Sequence, residues 1–571
     1  MRRSSAITPP GLTGITILAG LLIAASTLSA SGLTDPPHSP TIIAGASTHS
    51  DISAPIDDES TQNSTQPSEQ KRRGKQGKSN QPGATPKDQP GLLSQMTSFK
   101  TDVPAHDLDV ILVRPTDRSI EVTLAAASVC SAVVEYRRDG TTDSKRSAPA
   151  ALKPGEVGRI ALGGLTPGAE YRYRVGIERR DDKAAGVVWN DESRFRTRPA
   201  PGTSFSFAIQ ADSHLDQSVE PKLYEQTLRN MLTPADHGGP PDFVIDLGDT
   251  FMTDKRGRNF QSALPQYDAQ RYYFGLVAHS APLFMVLGNH DGEKGTSGRN
   301  ADDIGPWSYL QRTRRFPEPI IDGRMYTGLT SIKDAVGANY YAFEWGDALF
   351  IILDPFWGTT DRIRGDAGGG DRGQSRPNDE TLKPTDASWA MTLGRPQYDW
   401  LARTLETTKA RHRFVFIHHL VGGLGGNEAR GGVEASPFFE WGGNNADGSP
   451  GFAQHRNAWP MPIHDLLARH HVSAVFHGHD HLYVHSQRDN VQYQCVPQPG
   501  NPPSGTRSAA QYGYETGKLM TSPGYLRVRV TPQFASVEFI RTALDDSPAR
   551  HARDNNPREQ NNTVVDSYSS Q

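Results

Sequence analysis

The chain is short of cysteine, of net charge and of long apolar runs. Its 571 residues hold two cysteines, Cys130 and Cys495, far apart in the sequence. A pair so placed excludes a disulfide framework and a cysteine metal cluster, and leaves either one bridge between distant segments or two buried thiols. Lys and Arg total 60 against 64 Asp and Glu, for a formal net charge of -4. With no global basic field, nucleic acid is disfavoured as the main partner. Beyond the first 30 residues no apolar stretch reaches the roughly 20 residues that cross a bilayer, which excludes a multi-span protein. The length suggests about three or four units, and the composition implies that some segments do not fold.

Residues 1–30 have the pattern of an export signal: Arg2 and Arg3, an uncharged apolar stretch from Gly14 to Ala25, then small residues to Ala30. A cleaved leader is the first reading and an uncleaved anchor the second, and both place the working protein in a secreted, periplasmic or cell-surface setting. Residues 31–98 are rich in Ser, Pro, Gln, Gly and Thr with a basic cluster at Lys71, Arg72, Arg73, Lys75 and Lys78, and are expected to form a disordered linker. Residues 99–199 read as short strands between turns, the spacing of an all-β sandwich. From about 200 to 544 strands alternate with helical patterns, as in an α/β layered domain, a β-sandwich flanked by helices. Two Gly-rich insertions within it, Gly358 to Asp386 and Gly422 to Gly451, are too long for ordinary connections and read as access-shaping loops or surface decoration. The polar tail, 545–571, is expected to be disordered.

Five apolar runs in the α/β region stop at metal-ligand residue types. Phe205 to Gln210 leads into Asp212 and His214, and Phe243 to Leu247 into Gly248 and Asp249. Leu283 to Leu287 leads into Gly288, Asn289, His290 and Asp291, Phe414 to Ile417 into His418 and His419, and Val472 to Phe476 into His477, Gly478, His479, Asp480 and His481. A buried strand that ends in such groups must give each a partner, and convergence on a shared ligand does this for all at once. In α/β domains ligands gather at the carboxyl ends of strands. Two divalent ions about 3.5 to 4 Å apart can clamp a phosphate and hold a hydroxide between them.

The blocks D-x-H, G-D, G-N-H-D, H and G-H-x-H, in this order over about residues 203–485, resemble the calcineurin-like metallophosphoesterase superfamily. With a sandwich in front, the arrangement is similar to the purple acid phosphatases. The stretch Leu165 to Val175 resembles the tyrosine-corner segment of fibronectin type III domains, and Phe195 with Thr197 their closing strand. The superfamily resemblance implies a metallophosphoesterase fold with two divalent or trivalent ions. Asp212, His214 and His481 would hold the first, Asn289, His418 and His479 the second, and Asp249 would bridge them. The mixed oxygen and imidazole donors suit Fe, Zn or Mn. The resemblance also implies that His290 stabilises or protonates the leaving oxygen with Asp291 orienting its ring. Asn289 is expected to face the phosphate, and His419 either faces it too or packs away. Purple enzymes have a glycine where His214 stands and a tyrosine where Met252 stands, so no tyrosinate colour is expected. The expected function is exported hydrolysis of phosphate monoesters or diesters. The competing reading is an inactive surface binding or adhesion protein that uses the fibronectin-like domain.

Overall fold

Phenylalanines at alternate positions of neighbouring strands build the centre of the molecule. In the strands Phe205–Gln210, Phe243–Asp246, Ala348–Ile352 and His412–Phe416, one face supplies Phe207, Phe243, Phe350, Phe414 and Phe416 to a core with almost no exposure. Period-two alternation puts these rings on one side of each strand, so the two sheets that carry them must pack face to face. Rings of Phe207 and Phe243 stack at 5.2 Å, and Phe207 meets Phe350 of the opposite sheet edge-on at 5.0 Å. Truncating one of these rings to alanine costs about 3–5 kcal/mol.

The structure is a computed structural model. It describes residues 99–181, 186–233, 239–293, 304–317, 319, 339–359, 381–503, 506–544 and 560–570. The leader and linker readings, and most of the insertion from Gly358 to Asp386, lie outside those residues.

The first sheet has the order Leu283–Met285, Phe243–Asp246, Phe205–Gln210, Gly524–Val530, Ala535–Arg541, Thr563–Ser570; its first three strands are parallel and the rest antiparallel. The second has the order Tyr341–Trp345, Ala348–Ile352, His412–Phe416, Ala474–His477, Val491–Cys495, Leu482–Arg488, Lys518–Thr521, with a parallel centre. Helices Pro221–Leu232 and Leu264–Ala278 cover the outer face of the first sheet; Arg395–Thr407 and Ile463–Arg469 cover the second. The result is a four-layer α/β fold whose parallel strands all end on one side. Among the described residues no helix is long and apolar enough to cross a membrane.

The expected all-β sandwich precedes this domain. One sheet joins Leu108–Val113, Ser119–Ala126 and Val157–Gly163; the other is built on the long pair Cys130–Arg138 and Glu170–Arg179. Val122, Leu124, Val134, Tyr173 and Phe195 fill the space between them. The Thr166 N–H donates to the Tyr171 hydroxyl at 2.9 Å, which pins the turn before the long strand. Ile111 and Val113 turn out of the sandwich into the apolar cluster of the helices Pro221–Leu232 and Leu264–Ala278, so the two domains share buried surface. Arg271, wholly buried there and held down to about 10 by burial, donates to the carbonyls of Thr123 and Arg315.

Two expectations need correction or completion. The tail is not disordered throughout: Thr563–Ser570 is the edge strand of the first sheet, with Val565 and Tyr568 packed on the core and Asp566 accepting from the Tyr483 hydroxyl at 2.6 Å. An edge strand with one covered face needs few apolar residues, which is why composition read it as unfolded. Cys130 and Cys495 are both buried and both free.

Candidate dinuclear metal centre

Close approach of the strand-end loops builds the site. Gly248 and Gly288 sit backbone against backbone: a Cβ on Gly248 would fall 2.3 Å from Gly288 N, and one on Gly288 would fall 2.1 Å from Asp249 N. Only glycine fits at such an approach. Asp212 N donates to Gly248 O at 3.0 Å and Gly478 N to His418 O at 2.9 Å. Four of the proposed ligands, Asp212, Asp249, His479 and His481, stand at left-handed φ of 57°, 55°, 71° and 59°. For side chains other than glycine this conformation costs of order 1–3 kcal/mol each, a concentration of strain found where a site over-determines its backbone.

The ligand atoms of Asp212, His214 and His481 lie within 4.8 Å of one another, and so do those of Asp249, His418 and His479. These are the two groups expected from the sequence, apart from Asn289, whose Oδ1 lies 3.1 Å from His418 Nε2 and so joins the second. Across the groups, His418 Nε2 is 3.3 Å from Asp249 Oδ2 and 3.9 Å from Asp212 Oδ1. Asp212, His214, Asp249, His418 and His479 are buried; Asn289, His290 and His481 are part-exposed and line the opening.

Whether these residues fit cations can be tested on their free valences. Asp212 accepts the His479 amide on Oδ2 at 2.8 Å, while its buried Oδ1 accepts no hydrogen bond. His418 Nδ1 is held by Leu247 O at 2.8 Å and His479 Nε2 by Glu428 O at 2.6 Å, so their other ring nitrogens remain for the centre. Asp216 sits 3.2 Å from His214 Nδ1. His214 Nε2 and His481 Nε2 face each other at 3.4 Å. Outer nitrogens tied to carbonyls or carboxylates are how metal-binding imidazoles are oriented. The residues fit two cations.

The electrostatics agree. Burial raises the Asp249 carboxyl, but the His418 and His290 imidazoles outweigh it and hold it well below the usual range. Asp212 is likewise lowered, burial being overcome by His481. Burial lowers His418, yet the adjoining Asp249 raises it to about 9. Buried carboxylates that keep their charge and draw positive charge onto a neighbouring ring make a cation-attracting pocket.

The expected partner of His290 is not the one found. Asp291 turns away from the ring and accepts four backbone amides, from Gly288, Asp249, Thr250 and Phe251, at 2.8–3.0 Å. It ties the Asp249 loop to the Gly288 loop. The carboxylate at His290 Nδ1 is Asp254, at 2.9 and 3.0 Å. The His290 amide also donates to Asp249 Oδ1 at 2.8 Å. His419 is buried beside the centre, its ring 5.2 Å from that of His479 and edge-on to Phe356 at 5.0 Å, with Nδ1 on Leu420 O at 3.0 Å. Asp354, which ends the Leu349 run, caps its own turn through the Phe356 amide at 2.8 Å. Sequence reasoning missed Asp216, Asp254 and Gln498, whose Nε2 lies 2.9 Å from His214 Nε2 and donates to Asp212 O at 3.2 Å. Spacing alone could have suggested Asp216, two residues after His214; nothing local marks Gln498.

Paired donor sets at the strand ends of a four-layer α/β domain define a candidate dinuclear hydrolase centre. Residues 205–483 match the family of calcineurin-like phosphoesterases. Among solved structures it is similar to purple acid phosphatase PPD1 from yellow lupin (Lupinus luteus) seeds, at 15% identity and a TM-score of 0.50 over 81% of this chain and 74% of that one. It is also similar to PhoD, at 15% identity and a TM-score of 0.51 over 81% of this chain and 89% of that one. At such identity the likeness is one of fold. No curated protein sequence matches the chain significantly.

Proposed function

We propose that the chain is an exported dinuclear-metal phosphoesterase that hydrolyses phosphate monoesters or diesters. The observation that carries this reading is the meeting of Asp212, His214 and His481 with Asp249, His418 and His479 in one buried centre. Fe, Zn or Mn bound there would supply Lewis-acid polarisation of the phosphate oxygens and activation of water. Asp249, whose Oδ2 lies 3.3 Å from His418 Nε2, would take the bridging role. Asn289, at the opening, serves as ligand and phosphate contact. His290 donates a proton to the leaving oxygen, and Asp254 holds its Nδ1, which leaves Nε2 for that transfer. His419, buried with its ring 5.2 Å from that of His479, supports the centre by packing against it. The leader pattern of residues 1–30 supports work outside the cytoplasm, and the sandwich serves as a positioning module in the manner of a fibronectin-like domain.

The test is turnover of a generic aryl phosphate and its diester after loading with Fe, Zn or Mn. Hydrolysis of either supports the enzyme; no turnover with any of the three ions favours a binding or adhesion protein instead. In Asp249→Ala, metal content and activity should fall together, and retention of both would remove its bridging role.

A further inference from the structure

The stretch Gly478 to His481 carries one proposed ligand for each ion, and the second Gly-rich insertion grips it from outside. His479 uses every other hydrogen-bonding group it has. Its amide donates to Asp212 Oδ2, its carbonyl accepts from Arg430 Nη1, and its Nε2 lies 2.6 Å from Glu428 O. Next to it, the Asp480 carboxylate accepts from the Tyr514 hydroxyl at 2.6 Å, the Gly431 amide at 2.9 Å and Arg430 Nη1 at 3.3 Å. Four contacts on this segment therefore come from Glu428, Arg430 and Gly431. That loop is itself fixed: Leu424 and Arg430 exchange backbone hydrogen bonds at 2.8 and 3.0 Å, and the Arg430 guanidinium lies over the Tyr512 ring at 4.6 Å.

We propose that Arg430 is a positioning residue for the Asp249–His418–His479 ion, and that the insertion from Gly422 to Gly451 is a clamp on the metal centre. The physical argument is conformational. His479 stands at a φ of 71° that its Cβ disfavours. Such a residue holds its ring in place only if its surroundings fix both its peptide and its side chain. Arg430 does the first by bonding the His479 carbonyl and the following carboxylate with one nitrogen, and Glu428 does the second. The same carboxylate neutralises the part-buried guanidinium, so the arginine can sit under a cation centre without repelling it as a bare charge would. Removing Arg430 frees the His479 peptide and leaves Asp480 short of a donor. The ion held by His479 should weaken most, while the other keeps His214, which has its own partners in Asp216 and Gln498, and only His481 of its ligands lies on the gripped stretch.

This proposal rests on the two-ion reading, and the experiment separates the two. The full chain is stripped with a chelator and titrated with Co2+, following visible absorption and bound ion per chain. Wild type should bind two ions; failure to do so overturns the two-ion reading and the clamp with it. With two bound in wild type, Arg430→Met should weaken one ion by about 10- to 100-fold and leave the other within a few-fold, and Arg430→Lys should recover part of the loss. A defect of folding alone would weaken both ions together. Unchanged affinity at both sites in Arg430→Met, or an equal loss at both, overturns the clamp. Should that variant not fold, Tyr514→Phe, which deletes one hydrogen bond to Asp480 at almost constant volume, decides: a smaller loss confined to one ion supports the proposal, and unchanged binding overturns it.

Discussion

The sandwich and the phosphoesterase domain both carry dense arrays of charged side chains, and they use them in opposite ways. On the outer face of the sandwich, arginines close on carboxylates in partly exposed pairs: Arg174 and Arg146 on Glu135 at 2.6 and 2.7 Å, and Arg172 on Asp139 at 3.1 Å. Such pairs contribute between nothing and about 1 kcal/mol each. At the strand ends of the second domain, Asp212, Asp249, His418 and His479 are buried and aimed at one another, and the backbone under three of them is left-handed. Charge by itself separates the regions poorly. Burial, convergence and unfavourable backbone together mark the place where a ligand supplies the missing stabilisation.

The comparison breaks most visibly at His290. If the strand ends are the reactive half of the molecule, His290→Ala should lower kcat by about 10²- to 10⁴-fold with ion content unchanged. Asp254→Asn, which keeps the shape but takes away the charge at Nδ1, should lose less and should move the pH profile of kcat. An unaltered rate in His290→Ala would remove the proton-donor role, and an unaltered profile in Asp254→Asn would return that carboxylate to a structural part.

Much of this half was legible in the sequence, for a physical reason. A cluster built on the ends of parallel strands must place its residues just after apolar runs, so the proposed ligands Asp212, His214, Asp249, Asn289, His418, His479 and His481 each show in the sequence as an abrupt change of polarity. Residues that act through those ligands leave no such mark. Asp254 lies in an irregular 3-10 segment, Thr253–Ala263, and Gln498 follows the strand Val491–Cys495 that reaches the site from the far end of the domain. Their partners were chosen by tertiary packing. Asp291 was misread for the same reason: adjacency in sequence to His290 suggested contact, whereas the turn points its carboxylate back at four amides.

A second difference between the regions is pH sensitivity. Asp354 follows the strand Ala348–Ile352, and burial pushes its carboxyl up to about 6. The unfolded chain loses this proton near the ordinary carboxylate range and the folded chain only near 6. Stability from this residue is therefore intact below about 4 and falls as pH rises to about 6. Asp354→Asn can still accept the Phe356 amide. Chemical denaturation should find it more stable than wild type at pH 8, by up to about 3 kcal/mol, with the gap closing at pH 4. A constant difference across that range would show that the carboxyl ionises normally.

Within the sandwich the expected changes are smaller and leave catalysis alone. Tyr171→Phe removes the acceptor of the Thr166 amide and should cost about 1 kcal/mol in denaturation, with kcat and ion content unchanged.

The smallest effect belongs to the sandwich surface and sharpens the contrast furthest. Trp189 lies under two guanidinium groups, Arg174 at 4.4 Å and Arg146 at 5.2 Å from its ring centre, in an array that already satisfies its charges on Glu135. Cation–π contacts at such open sites are worth about 0.5–1 kcal/mol. Trp189→Ala should therefore lower stability by about that amount and leave kcat, KM and ion stoichiometry as they are, because no strand end of the second domain depends on it. A rise in KM for a small aryl phosphate would mean that this arginine face takes part in holding substrate, and the division between a paired surface and a reactive interior would have to be redrawn.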